Sequence, residues 1–345
     1  MSLISARNEK EWQSITRVLA DQGGGDFYYH PRWARLHERD GSAGAFHFQR
    51  GEDHFFVPLI LESIPETDWR DGHSPYGYTG PLATTEDPGF LRAAWEAMAE
   101  ELAEKRVIAV FIRFHPLLEN HRFASGIPNL DVDALRPTVY RTLGDTEESL
   151  LASYKGNVRN KIRKAQKKGA EIFEASGKEG LLRFARIYQG FMRNIDADDM
   201  YRFDRDYFLE LSRAFPEAVR IFLATLQAED VGGILTLQGP RFAHVHLSAV
   251  TREARRMGVS NLLRHTAIAA YLGKKEAMHF GGGTSNDEKD PLLRFKMGFS
   301  RSTLTFRIGK FLVKAAAYAS LVRDWEARNP ERAPELESIF LRYRF

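Results

Sequence analysis

The sequence predicts an α+β protein of two similar units in tandem, each a mostly antiparallel sheet flanked by helices. Three observations carry this expectation. A chain of 345 residues exceeds one ordinary hydrophobic core, so two domains or a duplicated architecture follow from size. Apolar spacing switches repeatedly between the helical and the strand period. Each half also runs the same coarse order of helices, an antiparallel strand pair, a helix and one further strand. In the first half these are 44–48, 54–62, helix 90–105 and strand 107–114; in the second they are 219–228, 231–238, 241–250, helix 258–274 and strand 278–281.

Taken in order, residues 9–21 space Trp12, Ile15, Val18 and Leu19 as a helix does. Gly23-Gly24-Gly25 is a turn, and Pro31 can open a second helix. Segments 44–48 and 54–62 read as paired strands. The stretch 69–82 is dense in aromatics, Gly and Pro. It reads either as a binding loop or as a rigid connection whose tyrosines pack. A helix at 90–105 and a buried strand at 107–114 follow, then a short helix at 117–124 and a strand at 138–143. Asp145, three residues before Glu148, resembles a helix cap. In the next helix Val158, Ile162 and Ala165 form one stripe, and Gly169 is a plausible C-terminal stop. A strand at 170–175, helices at 179–194 and 205–214, a strand at 301–308 and helices at 311–328 and 330–345 complete the pattern. The boundaries expected are 1–144, 145–310 (with a basic helix at 155–168) and 311–345, the last packing back on the body.

Composition narrows the function. No run approaches the ~20 apolar residues of a membrane helix, and the N-terminus has no basic region leading into an apolar one, so a cytoplasmic protein is expected. The absence of cysteine excludes disulfides, thiolate catalysis and cysteine-held metal clusters. His244 and His246 alternate on a strand, but a third ligand from His265 or His279 has no support, and no metal is expected. Nor is there a Gly-x-Ser-x-Gly elbow. Net charge is +3, yet Lys155, Arg159, Lys161, Arg163, Lys164, Lys167 and Lys168 put +7 into fourteen residues and leave −4 on the rest. Such asymmetry points to an anionic partner or, more blandly, to a solvated cationic face. Arg159 and Arg163 are four apart and suited to joint phosphate binding, with Lys164 beside them.

Four stretches carry a resemblance. Arg255-Arg256-Met257-Gly258-Val259-Ser260 looks like a loose form of the pyrophosphate loop of GNAT acyltransferases, where Arg255, Gly258 and Ser260 would hold acyl-CoA. Residues 157–170, running through Arg159, Ile162, Arg163, Lys164, Ala165 and Gly169, resemble a basic segment of the FemAB family. Gly281-Gly282-Gly283, then Asp290, then Phe295-Lys296-Met297-Gly298-Phe299 resembles that family's terminal Gly-Gly…Phe-Lys-x-x-Phe signature. The loop 74–82, with Tyr76 and Tyr78, is similar to the Tyr/Gly/Pro loop of its first domain. The chain thus resembles FemAB-like proteins, a GNAT-related group that includes BioF2-like acetyltransferases. It lacks the long helical-hairpin insertion of some members.

The resemblance implies two GNAT-like domains and transfer of an aminoacyl or acyl group to an amine, such as that of a peptidoglycan precursor. Acyl-CoA or aminoacyl-tRNA would serve as co-substrate, with no permanently bound cofactor. It admits tRNA as a partner beside a small-molecule or nucleotide-linked amine, and gives no reason to expect DNA; the basic helix also admits an anionic membrane surface. Oligomeric state is not specified. Lys296 matches the family lysine near the acyl end of the donor, where it would stabilise the developing oxyanion or the departing ribose oxygen; without the resemblance it reads equally as a surface lysine after a packed Phe295. Aminolysis needs a deprotonated amine and an oxyanion donor, which GNAT sheets supply from a backbone amide where two strands splay. Asp290 and Asp287 can accept the amine proton, although Asp290 before Pro291 is equally a helix N-cap. Gly281 and Gly282 would let substrate lie against bare backbone in a cleft between the domains, or form a tight turn. The competing reading is a nonenzymatic RNA- or anionic-surface-binding protein that uses residues 155–168; a catalytically dead scaffold is the third.

Overall fold

The computed structural model describes residues 1–39, 42–144, 146–194, 202–287 and 289–345. It divides into two compact units, Met1–Leu135 with Thr305–Phe345, and Arg136–Leu304. The elements in chain order are β1 (Ser2–Ser5), α1 (Glu9–Asp21), α2 (Pro31–Leu36), β2 (Ser42–Arg50), β3 (Asp53–Ser63), β4 (Arg70–His73), β5 (Leu82–Ala83), α3 (Pro88–Glu104), β6 (Val107–Arg113) and β7 (Leu130–Thr142). They continue with α4 (Glu147–Ser153), α5 (Gly156–Lys167), β8 (Glu171–Ala175), α6 (Gly177–Asn194), α7 (Arg205–Ala214), β9 (Val219–Leu226), β10 (Glu229–Gln238) and β11 (Phe242–Val250). The last are α8 (Arg252–Arg256), α9 (Val259–Ala269), β12 (Ala277–Gly282), α10 (Pro291–Lys296), β13 (Thr303–Leu312) and α11 (Ala315–Arg328).

The first unit orders its sheet β1-β2-β3-β4-β6-β13, with β5 on β3; the second orders its sheet β7-β12-β11-β10-β9-β8. Each sheet is antiparallel except for one parallel pair, β4 with β6 and β11 with β12. A helix lies in the crossover each time, α3 in one unit and α9 in the other, so the expected repeat is present in topology. The second unit's core runs from Val139 and Leu150 through Val158, Ile162, Leu263 and Met278 to Phe299. In the first, Phe55, Trp95 and Val110 form one cluster and Trp12, Phe56 and Ile60 another.

Several expectations are corrected. The units divide at 135/136 and 304/305, because β7 and β13 are longer than the sequence suggests. Asp131, Asp133, Arg136 and Pro137 hide the first half of β7. Residues 69–82 are not all loop, since β4 pairs with β3 and β6. This strand buries Asp71, whose charge is met by Arg344 Nε at 2.7 Å, a partner far away in sequence. Residues 117–124 form two 3-10 turns broken by left-handed Glu119. The β9–β10 turn is Gln227-Ala228, both at positive φ, as a two-residue hairpin requires. The tail 330–345 is a series of turns with one 3-10 segment at Arg342–Arg344, but it does pack on its own unit through Tyr343 and Trp325. The cap of α4 is Thr146, accepting from the Ser149 amide at 3.3 Å; the expected Asp145 lies outside the described residues.

Candidate active site

The glycine triplet ends β12. A bulge between His279 and Gly281 and a φ of +75° at Gly281 turn the strand out of its ladder. Gly282 and Gly283 are bare for a different reason, close approach. A Cβ on Gly282 would stand 3.0 Å from the Pro137 carbonyl oxygen, and one on Gly283 would stand 2.5 Å from Asp290 Oδ1. What fills these spaces is protein. Asp290 caps α10, accepting from the Leu293 amide at 2.8 Å with Pro291 in the first helical turn. Its other oxygen accepts from the Thr284 amide (2.9 Å) and hydroxyl (2.6 Å) and from the Ser285 amide (3.1 Å) and hydroxyl (3.2 Å). Burial pushes the carboxyl up, but these donors outweigh it and hold its pKa well below the usual carboxylate range. Of the two roles the sequence offers Asp290, the cap is the one this geometry describes. Asp287 Oδ1 accepts from the Lys289 amide at 2.8 Å, a local turn contact.

That cap fixes a six-residue helix whose last residue is Lys296, with Phe295 packed on the core. Lys296 is buried, not on the surface, and donates to the Gly282 carbonyl at 2.6 Å. Burial, then the nearby Arg264 and Arg136 guanidiniums, bring its pKa down to about 7, against the opposing pull of Asp290. The two arginines went unnoticed in the sequence. Arg264 sits in the middle of α9, a helix buried almost all round, at 3% exposure. Its guanidinium carbon lies 5.5 Å from the Phe280 ring centre and 5.8 Å from that of Phe295. Arg136, early on β7, donates to the Gly283 carbonyl at 3.2 Å. For Arg264 the available signal was a lone Lys or Arg among the residues of a mostly buried helix, Val259–Ala269. Beside this cluster the β11–β12 ladder pairs only Phe242–His244 with Ala277–His279, so the two strands part beyond it.

The other candidates are placed as follows. Tyr76 and Tyr78 belong to the first unit, where Tyr76 stacks on His37 at 5.4 Å and Tyr78 packs edge-on to Tyr28 and Phe306. On α5 the apolar stripe Val158, Ile162 and Ala165 is buried as expected. Arg159 Nη1 donates to the carbonyls of Ala152 and Tyr154, both at 2.8 Å, and so closes the end of α4. Lys164 Nζ donates to the Arg256 carbonyl at 3.0 Å. Exposed Arg163 has no such contact among the described residues. Arg159 thus spends Nη1 on the end of α4, and Arg163 stays exposed. The expected pyrophosphate loop is the end of α8 and the start of α9. Gly258 has φ +93°, and its bare Cα packs against the Lys161 carbonyl of α5. Arg255 sits over Phe191 at 5.1 Å, with Ser260 partly buried in α9. His244 and His279 oppose each other with ring centres 5.7 Å apart, while Tyr207 meets His246 at 2.9 Å.

Residues 152–296 match the family model described as an acetyltransferase (GNAT) domain, a span that closes on Lys296. Among solved structures, the chain is similar to FemX with a TM-score of 0.68 at 15% identity, covering 89% of this chain and 97% of that one. Its fold is thus like that of FemX, with two GNAT-like units in tandem. It is also similar to the C-terminal domain of a putative lysylphosphatidylglycerol synthetase from Agrobacterium fabrum (TM-score 0.57, 11% identity, 87% and 92% covered). A tandem GNAT protein from the clavulanic acid biosynthesis pathway follows (TM-score 0.53, 11% identity, 90% and 97% covered). No curated protein sequence matches. The GNAT match at 152–296 marks the second unit as an acyltransferase domain, in line with the sequence expectation, and no helix among the described residues is long and apolar enough to cross a membrane.

Proposed function

We propose that the protein is an N-acyltransferase that moves an aminoacyl group from an ester-linked carrier to an amine, with Lys296 at the reacting centre. The observation that carries this reading is Lys296 itself: buried, held on the Gly282 carbonyl, with a pKa near 7, at the end of the matched GNAT domain. The amine nitrogen attacks the ester carbon, forming a C–N bond as the carbonyl becomes an oxyanion. Collapse breaks the C–O bond to the carrier. Lys296 as ammonium gives a proton to the departing oxygen and is restored by the proton leaving the attacking nitrogen. A group that titrates near neutrality serves both directions. The oxyanion would be met by backbone amide where β11 and β12 part. Asp290, held strongly acidic by five donors, is assigned to positioning α10 rather than to taking the amine proton.

Two observations favour aminoacyl-tRNA over acyl-CoA as donor. The Gly258 loop is packed against a carbonyl of α5, which opposes a pyrophosphate there. Lys161, Arg163 and Lys167 on α5 and Lys168 at its end are exposed, and among the described residues their side chains make no hydrogen bond or ion pair, which suits a polyanion. For the acceptor, the family resemblance favours an amine of the peptidoglycan-precursor kind. Purified protein is incubated with labelled aminoacyl-tRNA or labelled acetyl-CoA and a peptide bearing a free lysine amine. Labelled amide is expected from the first donor. Amide from acetyl-CoA alone overturns the donor assignment, and amide from neither counts against the reaction.

A further inference from the structure

The charge around Lys296 does not balance. Three cations approach one another there, Lys296, Arg264 and Arg136, and each has donor capacity left over. Among the described residues, Arg264 makes no hydrogen bond or ion pair, and its Nε and Nη1 are sealed from solvent. Arg136 Nε is sealed and unpartnered as well, its side chain's only bond among the described residues being the one from Nη1 to the Gly283 carbonyl. Among the described residues the Lys296 side chain makes a single hydrogen bond, to the Gly282 carbonyl. Among the described residues the acid that acts on Lys296 is Asp290, which has five donors of its own from Thr284, Ser285 and Leu293 and so has little left to give. A guanidinium held in the middle of a buried helix without a counter-ion is costly. Burial accordingly lowers the Arg264 pKa to about 10. Phe280 and Phe295 wall the guanidinium, leaving it a fork of donors in a dry surrounding.

We infer that Arg264, Arg136 and Lys296 form a preorganised receptor for one oxyanion group, a carboxylate or a phosphate, carried by a substrate. The inference rests on the acyl-transfer reading only in calling the anion a substrate's; the receptor itself stands on the unpaired donors. Arg264 supplies the planar fork that such groups bind in two-point fashion. Lys296 and Arg136 add charge from the side of the glycine turn. Seating the anion there would bring the substrate against Lys296, and it would hold that lysine in its ammonium form.

The test uses binding, with no acyl donor present. Melting temperature and titration calorimetry are recorded for the wild type with sodium sulfate, standing for a phosphate group, and with sodium acetate, standing for a carboxylate. Chloride at matched ionic strength is the reference. One of the two anions is expected to raise the melting temperature above the chloride reference, and which one does so names the class. Arg264→Met is expected to melt higher than wild type without ligand, because the unpaired charge is gone, and to lose the anion response. Should that variant not fold, Arg264→Lys keeps the charge but not the fork, and its affinity is expected to fall on the order of 10- to 100-fold. No stabilisation of the wild type by either anion, or a response that survives in both variants, overturns the receptor. Arg264-dependent anion binding in a protein that forms no amide would overturn the reaction and leave the receptor standing.

Discussion

Replacing Lys296 with Met should stabilise the protein at neutral pH and below, although it removes a hydrogen bond. The fall in pKa from 10.5 to about 7 corresponds to about 5 kcal/mol against the charged form. Loss of the bond to Gly282 works the other way by about 1–3 kcal/mol. The difference leaves Lys296→Met more stable by about 2–4 kcal/mol at pH 6. The sign with pH follows from the direction of the shift. Between about 7 and 10.5 the unfolded chain holds a proton that the folded protein has released, so stability rises with pH across that window. Below it the cost is fully present, set by burial, Arg264 and Arg136 and opposed by Asp290. Urea unfolding at pH 6, 8 and 10.5 measures this. The advantage of the variant should shrink with rising pH and end as a deficit of about 1–3 kcal/mol. A variant less stable than wild type at pH 6, or a difference that ignores pH, would refute the reasoning.

Asp290→Ala should cost about 2–4 kcal/mol at pH 7, since it removes a cap and four further charge-assisted bonds. Because its folded pKa is depressed, that contribution is present above about pH 4 and lost as the pH falls through the folded value, so acid unfolding curves of variant and wild type should converge. Gly283→Ala should destabilise by about 1–3 kcal/mol, because the new methyl must displace the Asp290 carboxylate; an unchanged melting temperature would show that the loop yields freely. The double variant Arg163→Glu, Lys167→Glu should keep its stability but reduce the slope of log affinity for tRNA against log salt by about 2. An unchanged slope would leave α5 as a solvated face.

Much of this was legible in the chain. The bounds of α1 and α7 fall where the sequence put them, and the structure adds the polar caps Asn8 and Asp204 that start them, as expected of exposed amphipathic helices. β4 was hidden for the opposite reason: Arg70, Asp71, Gly72 and His73 form a strand between β3 and β6, and the buried Asp71 is met by Arg344 from the far end of the chain. The glycine triplet announced a close approach but not its partner, since Gly283 faces Asp290 and Gly282 faces Pro137. Family likeness pointed to Lys296. Its depressed pKa depends on Arg264 and Arg136, which are 32 and 160 residues away along the chain and come together only in the fold.

The acyl-transfer account stands or falls on a single-turnover measurement with labelled aminoacyl-tRNA and a lysine-bearing peptide, comparing wild type with Lys296→Ala. Wild type should convert ester to amide, and the variant should do so on the order of 10²–10⁴-fold more slowly at a temperature where both proteins are folded. Equal rates in the two proteins would contradict it.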